Sequence, residues 1–111
     1  MMTTQTRRLR LYTTESDYFG DRKVYEVICA RARETKLAGA TVVMALIGFG
    51  RTAHVHTRHL LDDDQSVVVE IVDEEIRLRD FVAALSDIPN IGLITLEVVE
   101  VIALETYAVS D

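Results

Sequence analysis

Hydrophobic and polar positions alternate from Arg8 to Thr13, with Leu9, Leu11 and Thr13 on one side and Arg8, Arg10 and Tyr12 on the other. That period of two predicts a half-buried strand. The run Glu15-Ser16-Asp17-Tyr18-Phe19-Gly20-Asp21 interrupts it and predicts a loop, with Glu15 to Asp17 forming a turn that caps the helix to come, a ligand or metal contact there being the alternative. From about Arg22 to Lys36 the period lengthens. Val24, Ile28 and Ala32 recur every four positions beside Tyr25, a helical stripe with charge on the opposite face. Gly39 stands just beyond that stripe, where a helix C-terminus favours glycine.

The segments Thr41 to Ile47 (TVVMALI) and Ser66 to Val72 (SVVVEIV) are β-branched and almost continuously apolar, which predicts two strands with little solvent exposure. Asp73 then offers an N-cap for a helix reaching about Ile88. Ile76, Phe81, Val82 and Leu85 form its buried side, and Glu74 and Glu75 suit the positive end of its dipole. The turn Pro89-Asn90-Ile91-Gly92 ends it, and a last strand runs from about Leu93 to Leu104.

The order β-α-β-β-α-β, without linker or repeat, predicts an α+β fold: a ferredoxin-like sandwich of one four-stranded antiparallel sheet with two helices on one face. Residues 1–111 form a single domain in this reading. Two helices cover only one side of such a sheet, yet Val42, Val43, Met44 and Val67, Val68, Val69 are apolar on both. The uncovered side therefore predicts burial against another subunit.

Composition agrees with one packed domain, since 49% of the 111 residues are hydrophobic. The net charge of −6 opposes a general nucleic-acid binder, which needs a positive footprint. The longest nearly apolar run, Leu37 to Gly50, is broken by Thr41 and falls well short of the roughly 20 residues that span a bilayer, so no membrane insertion is expected. The single cysteine, Cys29, has no partner for an internal disulfide, and no signal-like apolar segment opens the chain, so a cytoplasmic location is expected.

The chemistry concentrates in IGFGRTAHVHTRHL, from Ile47 to Leu60, which carries two arginines and all three histidines. Three readings arise. Gly48-Phe49-Gly50-Arg51-Thr52-Ala53 satisfies GxGxxA, and Asp73 falls where a dinucleotide-binding unit places its ribose-holding acid. The segment between the strands lacks a helical apolar stripe, Asp62-Asp63-Asp64 interrupts it, and the chain has no further parallel strands to complete such a domain. A second reading takes His54 and His56, two positions apart, as metal ligands, with His59 nearby. A third takes the glycines as backbone that approaches an anion, with Arg51, Arg58 and partly protonated histidines supplying the positive field. A solvated surface loop without a ligand is the plain alternative to all three.

No nucleophile with a base is legible. Cys29 lies near the buried stripe of the first helix, Ser16 and Ser66 lack a nucleophile-elbow context, and His56 is a general base without a nameable partner. Binding rather than catalysis is expected, with an enzyme using His56 as the alternative.

The blocks LRLYTTESDYFGDRKVYEVI, LAGATVVMALIGFG, HTRHLL and VVVEIVDEE together resemble the PII-like family catalogued as domain of unknown function 190, over about Leu9 to Ile102. The resemblance implies a PII-like homotrimer, similar in architecture to nitrogen-regulatory PII proteins and to divalent-cation-tolerance proteins. It also implies a T-loop at about 48–65 and small effectors, usually adenine nucleotides, in clefts between subunits near its base. Members are often associated with fluoride-exporter genes, which implies regulation of a membrane transporter or another protein through the T-loop.

Carried across by position, Gly48, Phe49 and Gly50 fall at the loop base, Arg51, His56, Thr57 and Arg58 in the loop, and Asn90 and Gly92 in the turn matching the PII B-loop. That turn and the last strand hold no lysine or arginine, so the usual phosphate clamp is missing and a nucleoside monophosphate fits better than ATP. The T-loop segment at about 48–65 also lacks tyrosine, so PII-type uridylylation is not implied. The expected function is a signalling module that senses a small anionic, nucleotide-like ligand. A metal-responsive protein resembling the cation-tolerance group, using His54, His56 or His59, is the alternative, and a plain assembly subunit with no ligand is the third.

Overall fold

The computed structural model describes residues 5–45 and 65–102. Its elements are β1 (Thr6–Thr14), β2 (Tyr18–Phe19), β3 (Arg22–Lys23), α1 (Val24–Glu34), β4 (Ala40–Met44), β5 (Ser66–Glu74), α2 (Glu75–Ala83) and β6 (Leu93–Val98). The long strands form one sheet in the order β4-β5-β1-β6, and every neighbouring pair is antiparallel. This is the split βαβ arrangement of the ferredoxin-like α+β fold. A short hairpin replaces part of both expectations: β2 falls in the predicted loop, and β3 takes Arg22 and Lys23 from the start of the predicted helix, which begins at Val24.

Odd-numbered residues of the central strands face the helices. Leu9, Leu11, Val69 and Ile71 meet Val24, Val27, Ile28 and Ala32 of α1 and Leu78 and Phe81 of α2 in one buried cluster. Beyond α2, the chain continues in turns as far as Ile88, so Leu85 and Ile88 still reach this core. The helices lie over the middle of the sheet and leave its edges bare: Val42 and Met44 on β4 and Ile94 on β6 are each more than a third exposed.

Several sequence expectations are corrected. The first helix ends in a Schellman-type cap in which the Leu37 N–H donates to the Ala32 carbonyl (3.1 Å) and the Lys36 N–H to the Arg33 carbonyl (3.0 Å). The left-handed residue of that cap is Lys36 (φ 63°), not Gly39. Burial of Leu37 against α1 places the reversal three residues before the glycine. Ile76 is 63% exposed rather than buried: α2 is capped at Glu74, one residue later than expected, and turns Leu78 and Phe81, not Ile76, toward the sheet.

Asp73 is not an N-cap. It is still paired in β5, and Glu74 holds the cap position without a side-chain bond. The Glu15–Asp17 turn caps α1 through backbone, the Val24 N–H donating to the Asp17 carbonyl (2.9 Å). The last strand stops at Val98, opposite Arg7, because β1 begins at Thr6 and offers no further partner.

Arg31 on α1 forms a two-pronged pair with Asp87, both bonds 2.8 Å, which ties the first helix to the turns after α2. This hydrogen bond outweighs desolvation and holds the Asp87 carboxyl below the ordinary 3.8. A carboxylate whose pKa is depressed by folding adds stability above its unfolded pKa and loses it as pH falls through the folded value. Thermal melts taken from pH 7 down to pH 3 should therefore fall more steeply below 3.8 in the native protein than in Asp87→Asn. Identical slopes for the two proteins would remove this pair from the acid response.

Candidate functional site: the open sheet face and the loop root

Even-numbered residues of β1 face away from the helices, and their neighbours form three rows across the sheet. The first is Val43, Val68, Tyr12 and Leu93, apolar from edge to edge. The second is Thr41, Glu70, Arg10 and Thr95, and the third is Val72, Arg8 and Glu97. No described helix covers this side. Tyr12, Val68 and Val72 are half-buried by their neighbours, while Val43 and Leu93 at the edges are exposed.

The charges on this face satisfy one another in the plane of the sheet. Arg10 Nε donates to Glu70 Oε2 (2.9 Å), Arg8 Nη2 pairs with Glu97 Oε2, and Arg10 Nη1 lies 3.6 Å from Glu97 Oε1. The hydrogen bond to Glu70 raises the already high pKa of Arg10, so this guanidinium stays charged throughout the working range. These residues were not singled out as functional from sequence. The signal was nonetheless present: Arg8 and Arg10 alternate against Leu9 and Leu11, and Glu70 interrupts the apolar run SVVVEIV.

The apolar row lies at the end of the sheet where the chain leaves for residues 46–64 and returns. The Ala45 N–H donates to the Ser66 carbonyl (2.9 Å), extending the β4–β5 pairing, and the Glu15 N–H donates to the Gln65 carbonyl (2.8 Å). The Asp17 carboxylate fastens the adjoining turn. Its Oδ2 accepts from Thr13 Oγ1 (3.0 Å), Thr14 N (3.1 Å) and Thr14 Oγ1 (2.9 Å), so the buried threonines are satisfied locally. Glu15 pairs with Lys23, whose ammonium also donates to the Glu15 carbonyl (3.2 Å). The Glu15–Asp17 turn thus holds the sheet end together.

Asn90 and Gly92 come to this same end. Asn90 adopts the left-handed conformation (φ 68°) in an exposed turn, and the Gly92 N–H donates to the Tyr12 carbonyl (2.8 Å), which starts the β6 pairing. The turn and the loop root are separated by the end of β1. The other expected contacts, Gly48, Phe49, Gly50, Arg51, Thr57 and Arg58, and the histidines His54, His56 and His59, lie outside the described residues. Among the described residues no group of His, Cys, Asp and Glu is arranged to hold a metal ion, and no helix is long and apolar enough to cross a membrane.

Asp73, the acid that the GxGxxA reading would use, is committed elsewhere. Its Oδ2 accepts from the Ala38 N–H (2.9 Å) and from Arg77 Nη1 (3.1 Å), and its Oδ1 accepts from the Glu74 N–H (2.6 Å). Arg77 in turn donates to the Thr35 and Lys36 carbonyls (3.1 and 3.0 Å). The pair therefore clamps the end of α1 to the start of α2, at the opposite end of the sheet from the loop root.

Cys29 is half-buried, and burial pushes its thiol pKa up against a smaller opposing pull from Arg33. A raised pKa leaves little thiolate and argues against a nucleophilic role.

An antiparallel βαββαβ sheet with both helices on one side defines a ferredoxin-like α+β protein. Within that class the chain belongs to the DUF190 family, whose profile, described as an uncharacterized ACR, matches residues 6–101. It is also 40% identical over 106 residues to a UPF0166 protein of Aquifex aeolicus (strain VF5), across 94% of this chain and 100% of that relative. The resemblance drawn from the sequence blocks is borne out at the level of the family.

Proposed function

We propose that this protein is a PII-like regulatory binding module. Copies assemble as a homotrimer through the open sheet face, a small anionic, nucleotide-like ligand binds in the cleft between subunits, and residues 48–65 carry the signal to a protein partner. The observation supporting this is the apolar row Val43, Val68, Tyr12 and Leu93, which no helix covers among the described residues and which ends beside the loop root. A second copy laid on that row would bring its own chain against the base of the loop and create a cleft there. Gly48, Phe49 and Gly50 would let backbone N–H groups approach the ligand, and Arg51 and Arg58 would supply the charge that the turn of Asn90 and Gly92 lacks.

The location in this reading is cytoplasmic, and the partner is a membrane transporter or a regulatory protein. The role is binding rather than catalysis, since the acids around the loop root, Glu15 and Asp17, are both engaged in local bonds. Ligand contacts would favour one conformation of the 48–65 segment, which the partner then recognises.

The test combines light scattering with thermal shift. A single mass near three times 12.5 kDa is expected at micromolar concentration. Adenosine monophosphate, cyclic nucleotides, ATP, fluoride and divalent metals are then compared, and a true ligand at 100 times its Kd should stabilise the native state by about 2.7 kcal/mol. The monophosphate is expected to shift the melt more than ATP. A monomer overturns the cleft. A metal shift abolished by His54→Ala/His56→Ala, with no nucleotide shift, replaces this reading with the metal-responsive one.

A further inference from the structure

The chain carries a net charge of −6, so most of its surface repels a second copy of itself. The open face is different. Along the three rows that cross Arg8, Arg10 and Tyr12, two arginines and two glutamates cancel within one subunit, and the remaining positions are Val, Leu, Tyr and Thr. An identical face can approach it without like-charge repulsion, which makes a second copy of this chain the fitting occupant.

A contact made only of valine, leucine and tyrosine is tolerant of sliding, because apolar burial has no direction. Ionic groups inside such a contact behave differently. Their mutual attraction is largely offset by lost hydration, so an intact network contributes little net affinity, while a network with one member removed leaves an uncompensated charge and costs a great deal. The arginines also retain donors. A guanidinium has five N–H groups; Arg8 directs Nη2 to Glu97 and its Nε is buried within the subunit, so the terminal Nη N–H groups are the ones a second copy can meet. In one register the outward N–H groups would meet acceptors on the second copy, and in a slipped register they would face valine and leucine side chains.

We propose that Arg8, Arg10, Glu70 and Glu97 are the specificity determinants of the subunit contact: they select one register and one stoichiometry, and the apolar row supplies the affinity. This rests on the open face being the subunit contact, as argued above. Its signature is an inverted order of variant effects, in which removing one charge does more harm than removing all four.

Sedimentation velocity over a concentration series reads this directly, with circular dichroism confirming the fold of each variant. The wild type should show one assembled mass. Glu97→Leu leaves two arginines without their shared carboxylate and should weaken assembly at least about 100-fold, the factor expected for breaking a desolvated pair. Glu97→Gln, which preserves shape, should act in the same direction and serves if the leucine variant does not fold. The fourfold variant Arg8→Met/Arg10→Leu/Glu70→Leu/Glu97→Met should assemble within about tenfold of wild type yet distribute over more than one mass.

If the fourfold variant dissociates as fully as Glu97→Leu, the network supplies affinity and the proposal falls. If it retains the single wild-type mass, register is set elsewhere, and the proposal falls while the trimer reading stands. A Glu97→Leu protein that assembles like wild type places the network outside the contact. A monomeric wild type removes the reading beneath the proposal as well, which sets that failure apart from the others.

Discussion

Leu11→Ala is expected to lower the unfolding free energy by about 4 kcal/mol, near the top of the range for leucine truncation in a core that cannot collapse around the gap. Leu11 is fully buried on β1, next to Val69 on one side and Ile94 on the other. Both of its neighbours are held in register by strand pairing, so the backbone around it has little freedom to close in. Urea denaturation followed by circular dichroism measures the change, with an unchanged slope against denaturant showing that only stability moved. A loss below about 1 kcal/mol would mean that the layer between sheet and helices is loosely packed.

Asp73→Ala should cost about 3 kcal/mol, which is large for a residue at the end of a strand. The Asp73 side chain is 7% exposed, and its oxygens serve the Ala38 N–H, the Glu74 N–H and Arg77. Removing it leaves the Ala38 donor without this acceptor and Arg77 beside the Thr35 and Lys36 carbonyls without a counter-charge. Asp73→Asn keeps an acceptor oxygen while losing the charge, so its cost should be about half as large. Hydrogen exchange offers a local check, since the Ala38 amide should lose protection in the alanine variant and keep part of it in the asparagine variant. A stability within about 0.5 kcal/mol of wild type in Asp73→Ala would sink the clamp.

Asp73 also shows how far sequence reasoning reached. The spacing after GxGxxA offered it to a ribose, and its place before a helix offered it as an N-cap. Both readings treat the residue through its neighbours in the chain. In the fold it also bonds to Ala38, 35 residues earlier, and to Arg77 on the following helix. A carboxylate that joins two distant segments has no periodic signature, and only the folded chain identifies its partners.

The helix ends behaved in the same way. The stripe of Val24, Ile28 and Ala32 marks α1 correctly because packing demands that period. Its termination at Lys36 rather than Gly39 depends on Leu37 finding the core, a tertiary event that outweighs the conformational preference of glycine. Ile76 was placed inside on the same assumption of a helix starting at Asp73. The one-residue shift of the cap, from Asp73 to Glu74, follows from β5 pairing with β1 as far as Glu74 opposite Thr6.

The candidate site divides along similar lines. The alternation of Arg8, Arg10 and Tyr12 against Leu9 and Leu11 was visible in the chain, and so was the need for a second cover on the sheet. The cross-strand partners were not. Glu97 reaches Arg8 across 89 positions and Glu70 reaches Arg10 across 60, distances over which sequence carries no register information without the strand order.

By itself, then, the sequence determined the period of each element, the βαββαβ order, the need for a second cover on the sheet and the family, because these depend on local spacing and on the succession of residue blocks. The tertiary structure decided which charges meet, that the open-face ions cancel within one subunit, and that the Pro89–Gly92 turn shares an end of the sheet with the root of the 46–64 segment. Those outcomes follow from antiparallel pairing in the order β4-β5-β1-β6, which brings together residues that the chain keeps far apart.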